Sequence, residues 1–193
     1  MKKIAIVFSF LCVVSAINAT VPLKDIMADI EYGIEAGVNV STIQGVSKQS
    51  SISGLMLGGT AKYQFSPNGH IESYLGLIQR GANDDGTKLK LNYLYLPVTL
   101  RYALPSSSSL NPFVYTGLYS AYLLSAKYDG DDIDSYVQRH DFGWTYGIGV
   151  SVPVNSTLLD VKLGYEMGLR GVYEVSNDWG YNRSLVLKGG LRF

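Results

Sequence analysis

The chain has 193 residues, 16 bases against 16 acids, and no formal net charge. That length accommodates one domain, and the charge balance leaves no basic footprint for nucleic acid. Glycine (21) and tyrosine (15) are plentiful and helix-forming runs are few, so the composition favours strands.

The N-terminus reads as an export signal and not as part of the fold. Lys2 and Lys3 form a cationic start, "IAIVFSFLCVV" is an apolar run too short for a membrane helix, and "SAINA" supplies small residues for cleavage. We expect residues 1–19 to be removed, with a cut after Ala16 as the alternative, leaving 20–193 as the folded domain. A lipoprotein reading would use Cys12, but Ser9, Phe10 and Leu11 ahead of it do not supply the small residue such a site needs. Loss of residues 1–19 leaves 14 bases, 16 acids and no cysteine. That excludes a disulfide scaffold and cysteine-based metal or redox chemistry.

Period-2 alternation then recurs in eight segments. In the first, 29–41, Ile30, Tyr32, Ile34, Ala36, Val38 and Val40 oppose Glu31, Gly33, Glu35, Gly37 and Asn39. In the second, 54–65, Leu55, Leu57, Ala61, Tyr63 and Phe65 oppose Gly54, Gly58, Thr60, Lys62 and Gln64. The third, 70–80, sets Ile71, Leu75 and Leu77 against Glu72, Tyr74 and Gly76. The fourth, 91–104, sets Leu94, Leu96, Val98, Leu100 and Tyr102 against Tyr93, Tyr95, Thr99 and Arg101; Pro97 in its middle cannot donate to a ladder and predicts a bulge. The fifth, 112–128, is apolar on both faces and its register stays open. The sixth, 140–152, sets Phe142, Trp144, Tyr146, Ile148 and Val150 against Asp141, Thr145 and glycines. The seventh, 158–170, sets Leu159, Val161, Leu163, Tyr165, Met167 and Leu169 against Asp160, Lys162, Glu166 and Arg170. The eighth, 184–193, ends on Phe193, with Leu185, Leu187 and Leu191 opposite Lys188 and Arg192.

Long connections are expected near 42–53, 81–90, 126–138 and 171–182, and short ones near 66–69, 105–111 and 153–157. This predicts an all-β fold, an eight-stranded antiparallel up-and-down barrel whose closure removes both sheet edges. Three features turn the apolar face toward lipid, making the barrel transmembrane. The polar face is crowded with glycine, which suits a narrow interior. Its charges are of both signs, as a closed interior requires. The segments are near the ~9–11 residues that a tilted strand needs to cross a bilayer, and tyrosines such as Tyr32, Tyr63, Tyr102, Tyr146 and Tyr165 suggest aromatic girdles. The interior network is expected to comprise Glu31, Glu35, Lys62, Glu72, Arg101, Lys162, Glu166, Lys188 and Arg192, with Asp160 and Arg170 on the same face.

The stretches "LNYLYLPVTLRYAL", "PFVYTGLYSAYLL", "HDFGWTYGIGVSV", "YEMGLRGV" and "GGLRF" resemble small porin-like (PorT-type) outer-membrane β-barrel proteins, akin in architecture to the OmpA and OmpX barrels. The likeness runs over about 28–193. It implies a multi-pass barrel in a Gram-negative outer membrane, and a terminal aromatic, here Phe193, read by the outer-membrane insertion machinery. We expect no segment after the barrel to grip peptidoglycan. Outer-membrane lipid, lipopolysaccharide and an extracellular ligand at the loops are the other partners expected.

Sites of chemistry are sparse. His70 and His140 should sit at opposite ends of the barrel. An esterase reading would join His140 to Asp141, Asp134 and Ser135, without a nucleophile motif. Asp129, Asp131, Asp132 and Asp134 could offer calcium ligands but lack EF-hand spacing, and a solvated acidic loop explains them. Asn155-Ser156-Thr157 fits a glycosylation pattern but reads as a turn. We expect no cofactor, no metal and no enzyme. The working function is a structural or surface-interaction protein plugged by mixed charges, with its long loops and both termini on opposite sides. The alternatives are a small-solute channel and, third, a lipid-modifying enzyme.

Overall fold

The computed structural model describes residues 29–45, 49–84, 86–107, 109–172 and 180–193. The export signal, its cleavage sites and Cys12 lie outside them. Alternation becomes eight long antiparallel strands: β1 (Ile30–Gln44), β2 (Gln49–Gln64), β3 (Gly69–Asp84), β4 (Thr87–Ala103), β5 (Asn111–Tyr128), β6 (His140–Val154), β7 (Thr157–Gly171) and β8 (Tyr181–Arg192). Each pairs with its neighbours in sequence. β8 then pairs with β1 from Gly33–Arg192 to Gln44–Tyr181, closing the barrel. The N–H of Phe193 donates to the Tyr32 carbonyl at 3.0 Å, tying the last residue to β1. Among the described residues no helix is long and apolar enough to cross a membrane.

Apolar side chains cover the outside. Leu55 is 70% exposed, Leu57 65%, Ile148 59% and Ile34 56%. A continuous belt of this kind is what lipid covers and what water does not tolerate. The fifth segment now has a register: Phe113, Tyr115, Tyr119, Ala121 and Leu123 point inward, and Val114, Leu118, Tyr122 and Leu124 outward. Of the expected girdle, Tyr32 and Tyr102 are exposed. Tyr63 is instead buried with Ile30, Ala61 and Ile71, and Tyr146 and Tyr165 pair at mid-strand, their ring centroids 5.8 Å apart.

Pro97 does not cause a bulge. The β3–β4 register is the same on both sides of it, and the ladder only lacks its rungs between Ser73–Val98 and Gly76–Tyr95. The missing N–H is absorbed by local loss of pairing, without an inserted residue. Register shifts occur elsewhere, at Asn92/Tyr93 against β5, between Ser51 and Met56 against β3, and between Met167 and Gly171 against β8. The last of these leaves Arg170 exposed, bonded to Gln138 at 2.9 Å and not part of the interior.

The connections also differ from expectation. Strands fill most of 42–53 and 81–90: β1 runs to Gln44 and β2 starts at Gln49, while β3 reaches Asp84 and β4 starts at Thr87. The longer connections at that end are two. One, after β5, carries a two-residue rung, Asp131–Asp132, and a 3-10 turn, Asp134–Tyr136; the other follows β7. The physical reason is a reversal of polarity along the strands. The outward series on β4 reads Tyr102, Leu100, Val98, Leu96, Leu94, then Asn92, Lys90, Lys88. The inward series reads Arg101, Thr99, Pro97, Tyr95, Tyr93, then Leu91, Leu89. On β2 the outward Leu57 and Leu55 give way to Ser53 and Ser51, and the inward Lys62 and Thr60 to Met56 and Ile52. Strands of 12 to 18 residues exceed what a bilayer needs. Their surplus stands in water with an ordinary apolar inside and polar outside.

Candidate functional site

The interior has three tiers. Nearest the termini, Glu31 on β1 takes Lys62 at 2.8 Å and Arg192 at 2.5 Å, and is itself half exposed at the rim. Arg192 also meets Asp160 at 3.1 Å. Arg101 donates to Asp160 at 2.9 Å and lies 3.5 Å from Glu72. The Ser151 hydroxyl joins Arg101 to Asp160, at 2.5 Å from each. Lys162 binds Glu72 and, at 2.6 Å, Glu35, which lies 3.5 Å from Lys188. These side chains come from seven strands, and period 2 points all of them into the closed barrel.

The middle tier is built on Arg80, which is fully buried. It holds Glu166 at 2.5 Å and Asp141 at 3.1 Å. Its guanidinium carbon lies 4.6 Å from the Tyr119 ring centroid and 5.0 Å from that of Tyr95, a cation–π sandwich. Tyr95 donates to Glu166 at 2.5 Å, while Tyr119 and Asn182 donate to Asp141 at 3.2 and 2.9 Å. Glu166 was foreseen as an interior charge. Arg80 and Asp141 were not assigned to the network, and neither were the two tyrosines. The available signal was parity: Arg80 is eight residues from Glu72, an even step that puts both on one face.

Glycine makes room for these rings. A Cβ at Gly143 would lie 2.6 Å from Tyr119 Cε1, one at Gly58 2.6 Å from Tyr74 Cζ, and one at Gly147 2.7 Å from the Tyr115 hydroxyl. A side chain at these positions would meet a tyrosine and also a backbone carbonyl of the adjacent strand (Met167, Leu75 and Leu163), which explains glycine on the polar face.

The third tier, at the loop end, is apolar. Ile43, Met56, Ile78, Leu89, Leu91 and Leu123 form a buried cluster. Val137 and Val172, from the two longer connections, close over it, and the Gln138 N–H donates to the Val172 carbonyl at 2.8 Å. Below it, the void among Glu35, Glu72, Tyr74, Tyr115, Thr145 and Lys188 offers a water centre only about 10 Å³. That is about the space of a single water.

Three residues named for an esterase are engaged elsewhere. His140 packs edge-on against Tyr122, with ring centroids 5.0 Å apart, while Asp141 points inward to Arg80. Asp134 accepts the Ala126 N–H at 2.5 Å and so ties the 3-10 turn to β5. His70 lies at the other end, beside the turn that enters β3. Among the described residues no group of His, Cys, Asp and Glu is arranged to hold a metal.

Residues 20–174 match the family model described as outer membrane protein beta-barrel domain. Among solved structures, neisserial surface protein A superposes with a TM-score of 0.63 at 18% identity, covering 85% of this chain and 96% of that one. A major outer membrane protein from Thermus thermophilus gives 0.56 at 14% identity, covering 85% and 99%. OprG from Pseudomonas aeruginosa gives 0.52 at 14%, covering 84% and 95%. At these identities the likeness shows the fold alone. No curated protein matches the sequence.

Proposed function

The chain belongs to the outer membrane protein β-barrel domain family and is an outer-membrane protein, and from this we propose that it is a closed, non-enzymatic barrel acting through its exposed loop end. The observation that carries this reading is the double closure of the lumen. A charged tier with a void of about 10 Å³ lies beneath an apolar plug sealed by Val137 and Val172. An ion entering would have to displace mutually paired side chains and then cross a dry apolar layer. Both steps are costly. The carboxylates and cations of the two charged tiers neutralise one another, so they serve to hold strands together and have no surplus charge for catalysis. The loop end, where strands project beyond lipid and carry the longer connections, is the surface left for interaction.

The test is single-channel recording of the refolded barrel in planar bilayers. We expect no steady conductance from the wild type. Sustained conductance that Glu166→Ala alters would sink the closed-barrel reading and favour a small-solute channel. An assay on lipid A in which activity disappears with His140→Ala would favour the enzyme.

A further inference from the structure

The outward face of β4 carries an ordered series where the lipid belt ends: Leu94, then Asn92, then Lys90, then Lys88. At ~3.3 Å per residue, Asn92 stands about 7 Å and Lys90 about 13 Å along the strand beyond Leu94. Lys127 on β5 lies directly opposite Lys90. All three lysines are exposed, and among the described residues none is in an ion pair. Asp132, an exposed carboxylate that also accepts the Asp134 N–H at 3.0 Å, faces Lys127 across the short rung, on the side of Lys127 away from Lys90. Like charges directly opposite each other destabilise a sheet unless an anion lies between them.

Two further features share this face. A chain of amides and a hydroxyl crosses three strands, from Gln79 to Asn92 at 3.1 Å and from Asn92 to Ser125 at 2.9 Å. Directly below is an apolar trough of about 530 Å³, lined by Leu55, Leu57, Leu77 and Leu124, with Gln79 and Asn92 at its rim. From the membrane outward the face therefore offers a hydrocarbon groove, hydrogen-bonding amides and a cluster of cations. We propose that this face of β2 to β5 is a binding site for one phosphorylated glycolipid of the outer leaflet. Acyl chain lies in the trough, sugar hydroxyls meet Gln79 and Asn92, and phosphate sits between Lys90 and Lys127 with Lys88 beside it. The inference rests on outer-membrane location and on the proposed outward-facing loop end, and not on the closed lumen, so a conducting lumen would leave it standing.

The experiment uses the full chain, folded in nanodiscs. The probes are bis-phosphorylated lipid A, its dephosphorylated form, and phosphatidylglycerol at matched charge. A lysine near an anionic surface contributes roughly fivefold in affinity, so K88Q/K90Q/K127Q should weaken lipid A binding on the order of a hundredfold. Dephosphorylated lipid A should bind the wild type as weakly. Unchanged binding by the triple variant, or equal binding of phosphatidylglycerol, overturns the proposal. If the triple variant fails to show heat-modifiable migration, wild-type binding is titrated with salt instead. An affinity that does not fall with salt then overturns it.

Discussion

Arg80 offers the sharpest test of how the interior is held. Arg80→Met keeps an unbranched side chain able to lie against Tyr95 and Tyr119 but removes the cation that touches both Glu166 and Asp141. Both carboxylates are nearly inaccessible, at 2% and 5% exposure, so water cannot replace the guanidinium. Removing one partner of such a buried pair costs about 3–5 kcal/mol. At an m of roughly 2 kcal/mol/M, the urea midpoint should fall by about 1.5–2.5 M. The triple variant R80M/D141N/E166Q removes the orphaned charges as well and should recover most of the loss, since its amides can still pair with Tyr95 and Asn182. The assay is urea unfolding in lipid, followed by tryptophan fluorescence and heat-modifiable migration. If R80M costs less than about 1 kcal/mol, or the triple variant is no better than the single one, the middle tier is not an electrostatic keystone.

Two other predictions concern packing and assembly. Gly143→Val would drive its side chain into both the Met167 carbonyl and the Tyr119 ring and should lower stability by about 1–3 kcal/mol as an overpacked site; an unchanged urea midpoint would show that the site has room. Phe193→Ala should reduce the folded fraction in outer membranes severalfold while leaving unassisted refolding in lipid unchanged. Equal loss in both settings would assign Phe193 to stability and not to the insertion signal we propose.

The eight strands and the lipid-facing side were legible because period 2 is a direct consequence of strand geometry. Most of the interior charges followed from the same parity. Arg80 was visible as the last residue of its segment, yet nothing local marks which acid it would meet, since Glu166 and Asp141 are brought to it only by closure. The fifth segment was illegible for a different reason. Inward Phe113, Tyr115 and Tyr119 are as apolar as outward Val114 and Leu118, and it is opposite glycines, not polarity, that admit the rings. Pro97 misled because a strand can lose two rungs without changing register.

Residues 42–53 and 81–90 read as connections only under one rule of polarity along whole strands. Outward serines and lysines look like loop when the outside is assumed to be lipid, although alternation never stops. This makes a prediction that position along β4 alone can settle. The sequence beyond residue 19 has no cysteine, so single cysteines can be placed cleanly. Labels at Leu100, Leu96 and Leu94 should be quenched by a lipid-soluble agent, and labels at Lys90 and Lys88 by a water-soluble one, with the crossover at Asn92. Thiols at Leu91 and Leu89 should resist both, because those positions are 0% and 2% exposed. A crossover at Leu96 or nearer the termini would mean that the belt is shorter than the exposed leucines indicate. Lipid quenching that persisted to Lys88 would remove the projecting rim, and with it the reason for an apolar interior at that end.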